Sequence, residues 1–265
     1  MKFLSNLDQD LQLSVRNALR DLWTHTSTAI EGNTLSLGDT AFVLNEGLTI
    51  GGKSLKDHQE ILGHAKAIEI IYDLITKEII IADDLFRLHQ AILTEVVIDI
   101  YKPVGGWKEE PNGTYSINEE GKTTYIEYAK PNDVLELMNR WLEFLNSFSD
   151  ELDEQEALVA YSKLHLSFVG IHPFFDGNGR LARLLSNIPV LRSGHVPIMI
   201  DRTRRQEYIA RLSAYQYKIG QINKSAQLIE NNETYAEFER FCGSCWQISL
   251  AVVQQAYDAQ IKRCK

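Results

Sequence analysis

Cysteine is scarce in this chain, which excludes a disulfide-built scaffold: Cys242, Cys245 and Cys264 are the only three in 265 residues. Cys242 and Cys245 have the C-x-x-C spacing of a redox pair or half a zinc site, but zinc wants four ligands and no second pair follows. The surrounding "EFERFCGSCWQISLAVV" reads instead as a helix with small residues on a packed face. Long apolar runs are missing too, and nothing approaches the about 18 consecutive apolar residues of a membrane span. The opening "MKFLSNLDQDLQLS" places acids where a secretory signal is apolar, so the cytoplasm is the expected compartment. Positive charge is in deficit, with 27 Lys and Arg against 36 Asp and Glu. That balance argues against tracking a nucleic-acid backbone, yet leaves room for a local basic pocket that takes a small anion.

What is present is helical periodicity. "DLQLSVRNALRDLWTHTSTAIE" is amphipathic and meets a stop signal at Gly32-Asn33. "SLGD" at 36–39 has capping-box spacing, and the next long helix carries Ile61, Ala65, Ile68 and Leu74 on one side. "IADDLFRLHQAILTEV" and "PNDVLELMNRWLEFLNSF" follow, the latter with Pro131 near its start. "EQEALVAYSKLHLSFVGI" is apolar on nearly all sides, which predicts a central buried helix. "RLARLLSNIPVLRSG" and "RTRRQEYIARLSAYQYK" come next, then one or two helices to the C-terminus. One region breaks this pattern. Short β-type runs at 114–117 and 123–128 flank "NEEG", predicting a small hairpin. The expected fold is therefore mainly all-α, a helical bundle with one β-hairpin. No linker or repeat divides it.

Chemistry concentrates in residues 172–183, "HPFFDGNGRLAR". Pro173 drives His172 out of the α region, so the central helix should end there. Gly177 and Gly179 permit a tight turn, and Asn178 or its neighbour caps a helix whose Leu181, Leu184, Leu185 and Ile188 have helical spacing. A glycine-rich loop running into a helix N-terminus is an anion site, because free N–H groups and the positive dipole end converge. Arg180 and Arg183 then sit on one face near that positive end, a placement costing about 0.3–1 kcal/mol each unless an anion is near. A polyphosphate would supply it. Asp176 suits Mg²⁺, which takes one or two carboxylates plus substrate phosphates, and His172 suits a general base. A zinc hydrolase built on His172 and Asp176 is the weaker alternative, since it gives the Gly-Asn-Gly-Arg loop no purpose.

This segment resembles the signature of the Fic family, H-P-F-x-[DE]-G-N-G-R-x-x-R, at every fixed position. The resemblance covers roughly residues 20–215 and implies a Fic-type helical bundle whose hairpin is a flap. It implies an N-terminal part (1–35) with an inhibitory helix, a catalytic core (36–220, flap 106–130) and a helical extension (221–265). It further implies transfer of AMP from ATP to a Ser, Thr or Tyr hydroxyl of a target protein. His172 would be the base, Asp176 would hold Mg²⁺, and Gly177, Asn178, Gly179 and Arg180 would cradle the phosphates. Arg183 would take the γ-phosphate, and Tyr208 would belong to the nucleobase pocket. The target would dock on the flap by strand addition. Self-modification and a homodimer are further implications; a non-catalytic module that binds ATP and a partner is the competing class.

Glu31 is a second misplaced charge, a carboxylate at the negative end of a helix that stops at Gly32. Ser27-x-x-x-Glu31-Gly32 resembles the family's [ST]-x-x-x-E-[GN] inhibitory motif, which implies that Glu31 pairs with Arg183 and that Ser27 steers it. The same glutamate would also serve a reverse reaction, removal of AMP.

Overall fold

The structure, a computed structural model, describes residues 2–93, 102–117 and 123–263. After a 3₁₀ turn at Lys2–Leu4, helix α1 (Gln9–Ile30) buries Leu11, Val15, Leu19, Trp23 and Ile30, one stripe at helical spacing. It ends where Gly32 takes φ of 103°. Helix α2 (Leu37–Glu46) opens on the anticipated capping box: Asp39 N–H donates to Ser36 Oγ at 3.1 Å, and Ser36 N–H donates to Asp39 Oδ2 at 2.9 Å. Helices α3 (Leu55–Leu74) and α4 (Ala82–Ile92) follow. Strands β1 (Gly113–Ile117) and β2 (Thr123–Glu127) pair antiparallel, with Tyr115 opposite Tyr125. Their connecting "NEEG" lies outside the described residues, as does Cys264. Helix α5 (Pro131–Asn146) starts on its proline.

Helix α6 (Glu154–Ile171) is the axis of the molecule, packed against α5 and against everything that follows it. These later elements are α7 (Asn178–Leu185), α8 (Ile188–Arg192), α9 (Arg205–Ile219) and a single 31-residue α10 (Glu233–Arg263). Trp141, Tyr161, Phe168, Phe174 and Phe238 share one core with α1 and α10. Each such buried side chain contributes about 1.5–3 kcal/mol of transfer free energy. Cys242 and Cys245 belong to that core on α10, and burial pushes the Cys245 thiol up to about 11. Both sulfurs are protonated at neutral pH. Among the described residues, no helix is long and apolar enough to cross a membrane.

Three local expectations need correction. "RLARLLSNIPVLRSG" is two helices: Pro189 has no N–H for the Leu185 carbonyl. The Asn187 amide secures the break, donating to Arg183 O at 2.9 Å and Ile198 O at 3.0 Å while accepting from Ile198 N–H at 2.7 Å. Because α7 is thereby only eight residues long, Arg183 falls in its last turn, not at its positive end. His172 does leave the α-helical region before Pro173, but for the left-handed conformation (φ 52°, ψ 58°) rather than an extended one.

Candidate active site

The loop between α6 and α7 holds most of the candidate residues, and its own side chains close it. Asn178 is the first helical residue of α7, not its cap; Gly177 caps it with φ of 77°. The Asn178 amide clasps Phe174 instead, accepting from its N–H at 3.0 Å and donating to its C=O at 2.8 Å. Asp176 Oδ1 accepts from Gly177 N–H at 2.6 Å. The N–H groups of Asn178, Gly179 and Arg180 have no intrahelical acceptor, as in any first turn, and they converge on the loop. A Cβ on Gly177 would lie 2.8 Å from Ile92 Cδ1, so both φ and space demand glycine there.

The two arginines part company. Arg180 is buried, donates from Nη1 to Ile92 O at the C-terminus of α4 (3.2 Å) and faces Asp176 at 3.6 Å. Arg183, with only 3% of its side chain exposed, is gripped by α1. Its Nε donates to Ser27 Oγ at 3.0 Å, and Nη2 to Ser27 O at 2.9 Å and to Glu31 Oε1 at 2.7 Å. Its Nη1 lies 3.4 Å from the Tyr208 hydroxyl, which is paired with His165 Nε2 at 2.9 Å. Glu31 is 41% exposed, so its carboxylate reaches the buried guanidinium from the open side. Gly179 lies against this pair: a Cβ there would meet Glu31 Oε1 at 2.7 Å.

Glu31, His172, Asp176, Gly177, Asn178, Gly179, Arg180, Arg183 and Tyr208 all line one cavity of about 240 Å³. Ser27 acts on it through Arg183. Tyr208 contributes a buried ring packed on Phe241 as much as a cavity wall. His172 Nδ1 is 3.2 Å from Val169 O, and a carbonyl can only accept. Nδ1 therefore carries the proton and Nε2 the lone pair. Burial, with the Lys108 ammonium behind it, pushes the imidazole down to about 3, so the ring is neutral at physiological pH. Burial likewise takes Lys108 down to about 7.

Other lining residues escaped the sequence reading. Tyr128 stacks on His172, and Val169, Phe175, Ile209 and Leu212 form the apolar wall. Val169, Ile209 and Leu212 offer the same 3.6-residue signal as any helical core position, and Phe175 is a loop aromatic without a period, so nothing in the sequence separates them. Asp176, 63% exposed at the rim, is the carboxylate available to a cation. Among the described residues no three metal-ligating side chains cluster. One carboxylate beside a loop of free N–H groups is a donor set that fits Mg²⁺, which takes its remaining ligands from phosphates and water.

Residues 79–189 match the family model described as Fic/DOC family. The chain belongs to the Fic/DOC family. It is 32% identical over 239 residues to protein adenylyltransferase fic-1 of Caenorhabditis briggsae, covering 87% of this chain and 43% of that protein. It is 36% identical over 184 residues to protein adenylyltransferase Fic of Drosophila mojavensis, covering 69% and 34%. The chain thus spans less than half the length of these curated relatives. Among solved structures, a Fic domain containing signaling protein from Bacteroides thetaiotaomicron superposes with a TM-score of 0.80. That match has 27% identity and covers 96% of this chain and 93% of the other. The helical bundle with a hairpin expected from the sequence is therefore the Fic fold.

Proposed function

We propose that this chain is a protein adenylyltransferase that moves AMP from ATP to a hydroxyl side chain of a target protein, and that Glu31 restrains it. One observation carries the reading: a neutral histidine with its lone pair on Nε2 and a buried arginine held by an acid share one glycine-floored cavity. His172 Nε2 takes the proton from the target hydroxyl. That oxygen bonds to the α-phosphorus, the bond to the bridging oxygen of the β-phosphate breaks, and pyrophosphate leaves with the electron pair. The α7 N–H groups, shaped by Gly177, Gly179 and the Asn178 clasp, receive the phosphates with Arg180, a preorganised set of donors. Asp176 would hold Mg²⁺, which supplies charge neutralisation of the phosphates. Tyr208 orients Arg183, a role better supported by its contacts than a nucleobase platform.

Arg183 is the natural partner of the γ-phosphate, and Glu31 occupies it first, with Ser27 steering the guanidinium toward it. Two anions cannot share that position, so ATP enters a pose without its outermost anchor. The hairpin edge is the surface we assign to the target backbone, and its exposed Tyr115 and Tyr125 offer hydroxyls for self-modification. A homodimer remains part of this reading. The test is transfer of label from α-labelled ATP with Mg²⁺ to proteins of a lysate. Glu31→Gly raises the label on protein, including the enzyme itself, and His172→Ala removes it. A Glu31→Gly protein that binds ATP yet labels nothing in several lysates is a binding module, and the transferase reading fails. AMP-modified protein as substrate checks the reverse reaction, in which wild type releases AMP and Glu31→Gly does not.

A further inference from the structure

Both feet of the hairpin end on the catalytic loop. Asn112 immediately precedes β1 and Tyr128 immediately follows β2, and the two are joined by Tyr128 N–H donating to Asn112 O at 3.0 Å. From the first foot, Lys108 N–H donates to Pro173 O at 2.8 Å, and Asn112 Nδ2 donates to Phe174 O at 3.0 Å. Lys108 Nζ reaches Asn112 Oδ1 at 2.6 Å and Ile171 O at 3.4 Å. The carbonyls on both sides of His172 are thus taken by one short segment. From the second foot, the Tyr128 ring lies flat on the His172 imidazole, with centroids 3.7 Å apart and planes 1° from parallel.

Aromatic pairs left to themselves prefer offset or edge-on arrangements with wider centroid spacing, so a close parallel stack is imposed from outside. Tyr128 is held for it at several points. Its N–H is engaged by Asn112, its C=O accepts from Gln221 Nε2 at 3.0 Å, and its hydroxyl is hydrogen-bonded by Thr114. His172 needs such a hold. Among the described residues it is the only one other than glycine with positive φ, a conformation that L-residues keep only when their surroundings over-determine it.

We propose that Tyr128 is a positioning residue: its ring, braced by the Lys108–Asn112 clasp, sets the plane of the His172 imidazole so that Nε2 faces the cavity. This rests on the transferase reading above, in which His172 Nε2 is the base. The stack does two things. It forbids rotation of the ring about the bond that would swing Nε2 out of line, and it lays a π face against the cation formed when Nε2 takes the proton. The hairpin is then more than a docking edge, because both of its strands lead directly into the device that aims the base.

The experiment compares Tyr128→Ala and Tyr128→Phe, each in the Glu31→Gly protein, with melting temperatures confirming the fold. Tyr128→Ala lowers kcat about tenfold to a hundredfold with KM for magnesium–ATP within twofold, and Tyr128→Phe restores most of kcat. Independently of catalysis, NMR of the histidine ring protons in the same proteins reads the stack. His172 resonances lie upfield under the Tyr128 ring current, stay there in Tyr128→Phe and return to the ordinary range in Tyr128→Ala. Unchanged His172 shifts in Tyr128→Ala overturn the proposal. So does a loss shared equally by Tyr128→Phe, or one confined to KM. A Glu31→Gly parent that labels no protein ends the transferase reading instead, and the ring-current measurement still decides whether Tyr128 holds the imidazole.

Discussion

The two ends of the cavity are built on different physics. At one end Arg183 is held by α1, a segment about 150 residues earlier in the chain, through charge and hydrogen bonds that a competing anion can replace. At the other end His172 is held by neighbouring backbone carbonyl contacts and a flat ring, none of which a nucleotide could displace. On the proposed reading, the exposed Glu31 carboxylate makes the first end a gate. The strained, stacked imidazole makes the second a fixed tool. If the proposed function holds, the chain is silenced by removing an anchor from its substrate while its base stays aimed.

The largest effect should come from breaking the tool. With Glu31→Gly as the parent, adding His172→Ala should lower the labelling rate by about 10²–10⁴-fold, the usual worth of a general base, with ATP affinity by calorimetry nearly unchanged. A double variant that keeps a tenth of the parent's rate would remove His172 from the chemistry. Breaking the gate should do less. Glu31→Gly frees Arg183 for a charge-assisted contact worth about 1.5–3 kcal/mol, or roughly 10–100-fold in labelling at subsaturating ATP. Single-turnover labelling across ATP concentrations separates this from an effect on chemistry: the gain should shrink as ATP rises, and a gain constant at every concentration contradicts competition for Arg183.

How legible each end was in the sequence follows from the same difference. His172, Asp176, the glycines and both arginines stand within twelve residues, so their chemistry could be read as one object. Glu31 was legible because a carboxylate at a helix C-terminus is electrostatically misplaced and asks for a cation. The helices themselves were legible because burial on one side imposes a 3.6-residue period. Lys108 and Asn112 lie in an irregular stretch without periodicity and Tyr128 closes a β-type run; all three act through backbone carbonyls and a ring stack, which exist only once the chain is folded. The placement of Arg183 failed for a related reason. Its dipole environment depends on where α7 stops, and that stop depends on Pro189 together with an Asn187 amide bonded to Ile198 across the loop. Asn178 enters as a phosphate ligand only through the resemblance; in the fold its amide accepts from and donates to the Phe174 backbone, a pairing no local pattern announces.

A broader perturbation sharpens the contrast between fixed and replaceable contacts. His89 is pushed down by burial to about 4 and His165 and His172 to about 3, while burial also lowers His25 and His64. The rings of His89, His165 and His172 are neutral in the fold down to about pH 5 but take up a proton below about 6.5 once unfolded. The unfolded state therefore binds more protons in acid. Stability is fully present above pH 6.5 and is lost as the pH falls below it, at about 1.4 kcal/mol per pH unit for each such histidine. Urea midpoints should fall steadily from pH 7 to pH 5, before the carboxylates titrate. A midpoint flat over that range would mean that these rings are not buried as neutral groups.

The smallest effect tests whether gate and substrate compete for one position. Gly179 sits in α7 with ordinary helical backbone, so Gly179→Ala costs nothing in conformation and gains up to about 1 kcal/mol of helix propensity. Its new methyl, however, would stand 2.7 Å from Glu31 Oε1 and 3.2 Å from Arg183 Nη1. Glu31 is the end of a flexible, half-exposed side chain and can yield; the position it vacates is the one we assign to the γ-phosphate. The methyl should therefore hinder both occupants. In the Glu31→Gly parent, where only the nucleotide remains, Gly179→Ala should raise KM for ATP severalfold. In wild type the loosened clasp and the obstructed phosphate oppose each other, leaving a change of about twofold or less. The two effects are non-additive because the residues touch, and a double-mutant cycle reads that coupling directly. Equal effects in both backgrounds would place the phosphate away from Glu31, and the competition at Arg183 would have to be abandoned even with the base intact.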